Sequence, residues 1–193
     1  MELYRKQKVK ASALTDFQIG DQIVVGKYTA TCQKVADQGA IFMLDSYLDK
    51  PYQMNVEGTN EGRYEASDLQ RNLVVDFSAD ENFDSIRNHL TPFENGYLVR
   101  IPTIAEFFGH DDSSVNNWFE VDDAEQWYLM KIPSNRIAQR KGDEYEWGWL
   151  QNKAKKSVPC FALVTPYGGY ATYNNAPNFA GVRPVFMIKK AVN

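Results

Sequence analysis

A chain of 193 residues, 44% apolar and 24% charged, is long enough for one domain with a substantial core. Its net charge of −4 excludes a main partner made of phosphate backbone, which requires a basic footprint, so no nucleic-acid partner is expected. No run approaches the ~20 apolar residues of a membrane span, and residues 1–10 carry charge without an apolar signal core. Membrane insertion is therefore not expected. The expected location is the cytoplasm of the producing cell, or a virion assembled there. Cys32 and Cys160 lie in strand-like runs without CxxC spacing. A disulfide between them stays open on geometry, but buried free thiols are preferred because free Cys packs like a small hydrophobe.

Residues 1–16 are polar and read as an N-terminal arm, and 17–193 read as a single domain. Segment 17–28 reads as strands around a turn at Gly20 and Asp21. Strands over 28–35 and 40–44 continue it as an antiparallel meander. After a loop over 49–63, Leu69, Leu73, Val74 and Phe77 share one helical face, with Ser67 as N-cap. Phe83, Ile86 and Leu90 place a second short helix over 82–90, ended by Pro92. A short strand follows over 97–101. Thr103 and Glu106 have capping-box spacing and open a helix through Phe108, stopped at Gly109. Segment 110–123 reads as a surface loop, 127–132 as a strand and 134–145 as a polar loop. Four short strands are expected over 147–150, 159–164, 168–173 and 183–188. Strands, then helices, then strands is the order of an α+β fold, not of a doubly wound parallel sheet.

The last third carries a family resemblance. Trp147-Gly148-Trp149-Leu150-Gln151-Asn152, then Ala162-Leu163-Val164, then Gly168-Gly169-Tyr170, then Gly181-Val182-Arg183-Pro184 stand in a familiar order. This resembles a bacterial and phage domain family of uncharacterised function whose closing strand reads Gly-Val-Arg-Pro. A similar ending occurs in the C-type-lectin-like superfamily, which includes formylglycine-generating proteins and phage tropism determinants. The resemblance spans roughly 17–189. It implies a twisted antiparallel sheet, two or three flanking short helices, and long loops on a ligand-binding face. Three positions depart from the family pattern: Gly148 interrupts a Trp pair, Gln151 replaces Arg and Asn152 replaces Ser.

The expected ligand face comprises Trp149, Tyr167, Tyr170, Tyr173, Asn174, Asn175 and Asn178, whose Tyr/Asn/Gly setting is that of adaptable recognition loops. The alternative for this stretch is an ordinary turn, since Gly and Asn are also what turns require. Trp147, Gly181, Arg183 and Pro184 read as a structural motif, with Arg183 hydrogen-bonded to carbonyls or a carboxylate across the sheet. Two residues apart, Trp147 and Trp149 would share one face of a strand, as a core pair or as an aromatic platform. No catalytic constellation stands out: His89 and His110 lack metal-ligand spacing, and no phosphate-binding glycine loop is present. No catalytic or metal-ligating residue and no cofactor is expected. The reading is a non-catalytic binding module, phage- or prophage-encoded, that recognises a protein or glycan ligand on a bacterial surface. Oligomerisation stays open. Two alternatives remain: a cytoplasmic inhibitor of a host protein, and an enzyme related to formylglycine-generating proteins.

Overall fold

Antiparallel pairing dominates the structure, a computed structural model that describes residues 17–140 and 145–190. The expected arm, 1–16, and part of the expected loop, 141–144, lie outside the described residues. The architecture is α+β: a curled antiparallel half-barrel with a few short helices. No described helix is long and apolar enough to cross a membrane.

The expected meander forms from β1 (Gln22–Val25), β2 (Tyr28–Val35) and β3 (Gly39–Leu44). Its first reversal falls at Gly26 and Lys27, while the expected turn at Gly20 and Asp21 leads into β1. The final strand, β11 (Val185–Lys189), pairs antiparallel with β3 along its whole length. Its other edge takes two short strands end to end, β5 (Leu90–Thr91) and β6 (Val99–Arg100). A second sheet is built from β7 (Gly148–Lys153), β8 (Cys160–Val164) and β9 (Ala171–Asn175). A ribbon of β4 (Tyr52–Gln53) and β10 (Phe179–Ala180) lies apart from both.

Two cores flank this framework. One gathers Phe42, Phe186, Trp149, Phe161 and Leu163 with Leu69 and Leu73 of helix α1 (Asp68–Ala79). The other gathers Met43, Val185, Ala162 and Val164 with Phe107, Phe119 and Trp127. Successive residues of β8 therefore point into different cores, so this strand is apolar at every position and not alternating. Burying one such large side chain contributes about 1.5–3 kcal/mol.

The caps form as the sequence reads. The Ser67 hydroxyl accepts from Gln70 N at 3.1 Å at the start of α1. A short helix, α2 (Asp84–Arg87), occupies the middle of the expected 82–90 helix, and Leu90 leaves it to join β5. Helix α3 (Ile104–Phe108) carries the full capping box of Thr103 and Glu106. Three further segments differ from their expected form. Segment 110–123 contains a helix, α4 (Ser113–Trp118), held by Asp112, which accepts from the amides of Ser114 and Val115. Only Val115 of α4 is buried, so it shows no periodic apolar stripe. Segment 127–132 is a 3-10 turn over Tyr128–Lys131, because the buried residues Trp127 and Met130 stand three apart. Segment 134–145 opens within a short helix, α5 (Pro133–Arg136), that begins on proline.

Candidate ligand face

The second sheet positions the candidate face. Direct cross-strand pairs share a face, so Tyr173, opposite Ala162, lies on the side of the second core. Its ring sits at the margin of that core, edge-on to buried Phe119 at 6.5 Å and against Trp118 at 5.3 Å. Trp118 reaches this place because the chain after α4 runs beside the end of β7. Lys155 N donates to Trp118 O at 2.9 Å, and Glu120 N donates to Lys153 O at 3.1 Å. Trp118 is 51% exposed. Together with Asn117, Ala154, Lys156, Ser157 and Tyr173 it borders a hollow of about 610 Å³. No sequence pattern marks Trp118 as part of a site. Its one signal is a large aromatic ring placed between Asn117 and the acidic run around Glu120.

The structure sorts the expected ligand residues into three groups. Tyr167 and Tyr170 flank the tip of the β8–β9 hairpin and are 79% and 67% exposed. Thr165 holds that tip: its hydroxyl donates to Tyr167 O at 2.8 Å and accepts from Tyr170 N at 3.1 Å. The asparagines serve the turn. Asn174 Oδ1 accepts from Asn178 Nδ2 at 2.6 Å and from Asn175 N at 2.8 Å. Asn175 Oδ1 accepts the Cys160 thiol proton at 3.1 Å, and the Ser157 hydroxyl donates to the Cys160 sulfur at 3.1 Å.

Trp149 must be removed from the face. It is 2% exposed, packs in the first core, and donates its Nε1 proton to Tyr52 O at 2.8 Å. Trp147 is the exposed member of the pair. Strand β7 starts one residue after it, so strand alternation does not extend to Trp147.

Arg183 is buried, and its partners among the described residues are carbonyls, not a carboxylate. Nε donates to Leu44 O at 2.8 Å, and Nη1 donates to Asn135 O at 3.0 Å. Burial pulls its pKa below the ordinary value, and Tyr47 and Asp45 work against that pull. Pro184 O accepts from Leu44 N at 3.0 Å. Arg183 also borders a groove of about 960 Å³ between the outer face of β1 and β2 and the segment around Tyr128–Lys131. Gln33 lines the same groove, and its buried Oε1 has no partner among the described residues. Cys32 and Cys160 are both buried and free.

The face thus offers aromatic area, amide and hydroxyl groups and one lysine, a set suited to contact and hydrogen bonding. Comparisons with protein-family models, with curated proteins and with solved structures find no match for this chain.

Proposed function

We propose that the chain is a non-catalytic binding module of C-type-lectin-like architecture, phage- or prophage-encoded, that recognises a protein or glycan on a bacterial surface. The observation that carries this reading is the exposed ring pair of Trp118 and Tyr173 beside a polar-rimmed hollow. Large rings held at the surface by a buried neighbour, here Phe119, supply contact area without ordering cost on binding. Tyr167 and Tyr170 extend the same chemistry along the hairpin. The turn asparagines support these rings as scaffold and do not act as primary contacts.

The test immobilises the protein and exposes it separately to intact bacterial envelopes and to clarified soluble lysate. Retention of envelope material that is lost in a W118A/Y173A variant supports the reading. Capture of one soluble protein instead, with no envelope retention, replaces it with an intracellular inhibitor.

A further inference from the structure

Strand β2 carries a bulge that puts one amide side chain into a groove. Between Cys32 and Lys34 the register with β3 shifts, so Gln33 stands outside the ladder. A bulge re-aims a side chain, and bulges are frequent beside sites. Gln33 is 2% exposed and lines the groove of about 960 Å³ beside Tyr128–Lys131. Its Nε2 donates to Thr31 O at 3.0 Å, which settles the orientation of the amide. The buried Oε1 then accepts from no described residue. Arg183 lines the same groove and is also buried. Its Nε and Nη1 are used on the carbonyls of Leu44, Asn135 and Arg136, and Nη2 donates to no described residue. The groove thus offers an open acceptor and an open donor, each on a buried side chain.

Charge narrows the class of ligand. Among the described lining residues Asp21 and Asp45 are negative, and Lys131 and Arg183 are positive. A balanced groove concentrates neither anions nor cations. Its carboxylates are also engaged: Asp45 accepts from the Thr31 hydroxyl at 2.6 Å and from Gln22 Nε2 at 3.0 Å, and Asp21 accepts from Gln18 N at 2.9 Å. A neutral group that carries both an N–H and a C=O suits the open positions without adding charge, and that group is an amide. The rest of the wall mixes hydroxyl and amide side chains with the exposed Tyr128 ring. A sugar ring uses such a mixture, because its hydroxyls lie around its rim and its C–H bonds on its faces. The volume falls in the range of roughly 300–1,000 Å³ usual for small-ligand sites.

We infer that this groove binds an N-acetylated amino sugar. The acetamido N–H donates to Gln33 Oε1, oxygens of the sugar accept from Arg183 Nη2, and the sugar ring lies on Tyr128. The acetamido methyl packs against the apolar wall of Leu129 and Ile132. The site is distinct from the Trp118–Tyr173 hollow, with which it shares no lining residue. The inference rests on the binding-module reading and names the glycan chemistry for it.

The test titrates the full chain by calorimetry with triacetylchitotriose, with its deacetylated form chitotriose, and with cellotriose, which differ in one substituent on each ring. The acetylated trimer should bind at least about tenfold more tightly than either of the others, since a site with a buried acceptor rejects an analogue that lacks the donor. Gln33→Met keeps the length of the side chain, removes Oε1, and should lose at least about tenfold in affinity. Tyr128→Ala alters an exposed ring, so the fold is kept, and should weaken binding several-fold. The W118A/Y173A variant should bind the acetylated trimer like the parent. Equal binding of cellotriose, no binding of any trimer, or undiminished binding in either groove variant that folds overturns the proposal. So does tighter binding of a triglycine peptide blocked at both ends, which offers amides without a sugar ring. Envelope retention that persists while no trimer binds removes this inference alone and leaves the binding-module reading in place.

Discussion

The ring of Tyr47 lies directly against Gly181: a methyl group added there would stand 2.5 Å from Tyr47 Cγ. Gly148, the first residue of β7, approaches the same ring from another side, and the two glycines are joined by a parallel bridge. Trp149 N donates to Gly181 O at 3.0 Å, and Gly181 N donates to Trp147 O at 2.8 Å. Tyr47 is thus the wedge between the start of β7 and the segment that joins β10 to β11. Gly181→Ala should destabilise the fold by about 1–3 kcal/mol, the usual range for overpacking. Combining it with Tyr47→Ala should cost less than the sum of the two single changes. A double-mutant cycle by urea unfolding reads this coupling, and simple additivity would show that the contact does not matter.

Arg183 should behave as a tie between segments. Its guanidinium holds the carbonyl of Leu44, at the end of β3, and that of Asn135, in α5. Arg183→Met leaves the buried carbonyl of Leu44 and the half-buried one of Asn135 without this donor and should cost about 2–4 kcal/mol. Hydrogen exchange should quicken in 133–137, which this side chain holds to the sheet, while α1 stays protected. Uniform loss of protection would assign Arg183 to the core as a whole.

Arg100 and Glu106 form a buried two-pronged ion pair, with Nη1 to Oε2 at 2.8 Å and Nη2 to Oε1 at 2.5 Å. Glu106 Oε2 also accepts from Thr103 N at 2.8 Å, so one carboxylate both caps α3 and neutralises Arg100 on β6. Glu106→Gln leaves a buried guanidinium uncompensated and should destabilise by about 3–5 kcal/mol. Replacing both members, Arg100→Met with Glu106→Gln, should cost less than Glu106→Gln alone. Thermal or urea unfolding decides, and a larger loss in the double variant would refute the charge argument.

Stability should fall at alkaline pH. Burial, with a further contribution from Asp21, pushes the Cys32 thiol up from its ordinary 9.0 to about 12. Between these values the unfolded chain releases the thiol proton while the folded chain keeps it. The unfolded state then binds fewer protons, and stability decreases as pH rises. The contribution is fully present below pH 9 and amounts to a loss of about 4 kcal/mol by pH 12. Burial also raises Tyr47, Tyr52 and Tyr64, which adds to the slope in the same direction. Cys32→Ala should flatten the fall in urea-derived stability between pH 9 and 11, and an unchanged slope would exclude the thiol as a cause.

Local chemistry was legible in the sequence wherever the signal is short-range. The Ser67 cap, the Thr103–Glu106 box, the face of Leu69, Leu73 and Phe77, and the first three strands depend on residues within one or two turns of each other. Helix α4 and the 3-10 turn at Tyr128–Lys131 escaped because each buries only one face residue, too few to set a period. The candidate face was legible in part. Local composition points to Tyr167, Tyr170 and Tyr173, whereas Trp118 stands 55 residues before Tyr173. Only the pairing of segment 118–120 with Lys153 and Lys155 brings that ring to the sheet.

The sequence alone determined the α+β class and the caps, because hydrophobic period and capping are properties of neighbouring residues. The tertiary structure decided which rings face solvent. Trp147 and Trp149 are alike in type and two apart, yet a strand boundary and the bond from Trp149 to Tyr52 O send one outward and one into the core. It also decided that Arg183 ties backbone segments, since the carbonyl of Leu44 lies 139 positions away and is brought within 2.8 Å only by the pairing of β11 with β3. Burial and long-range pairing are set by the whole chain collapsing at once, and no local window of residues contains them.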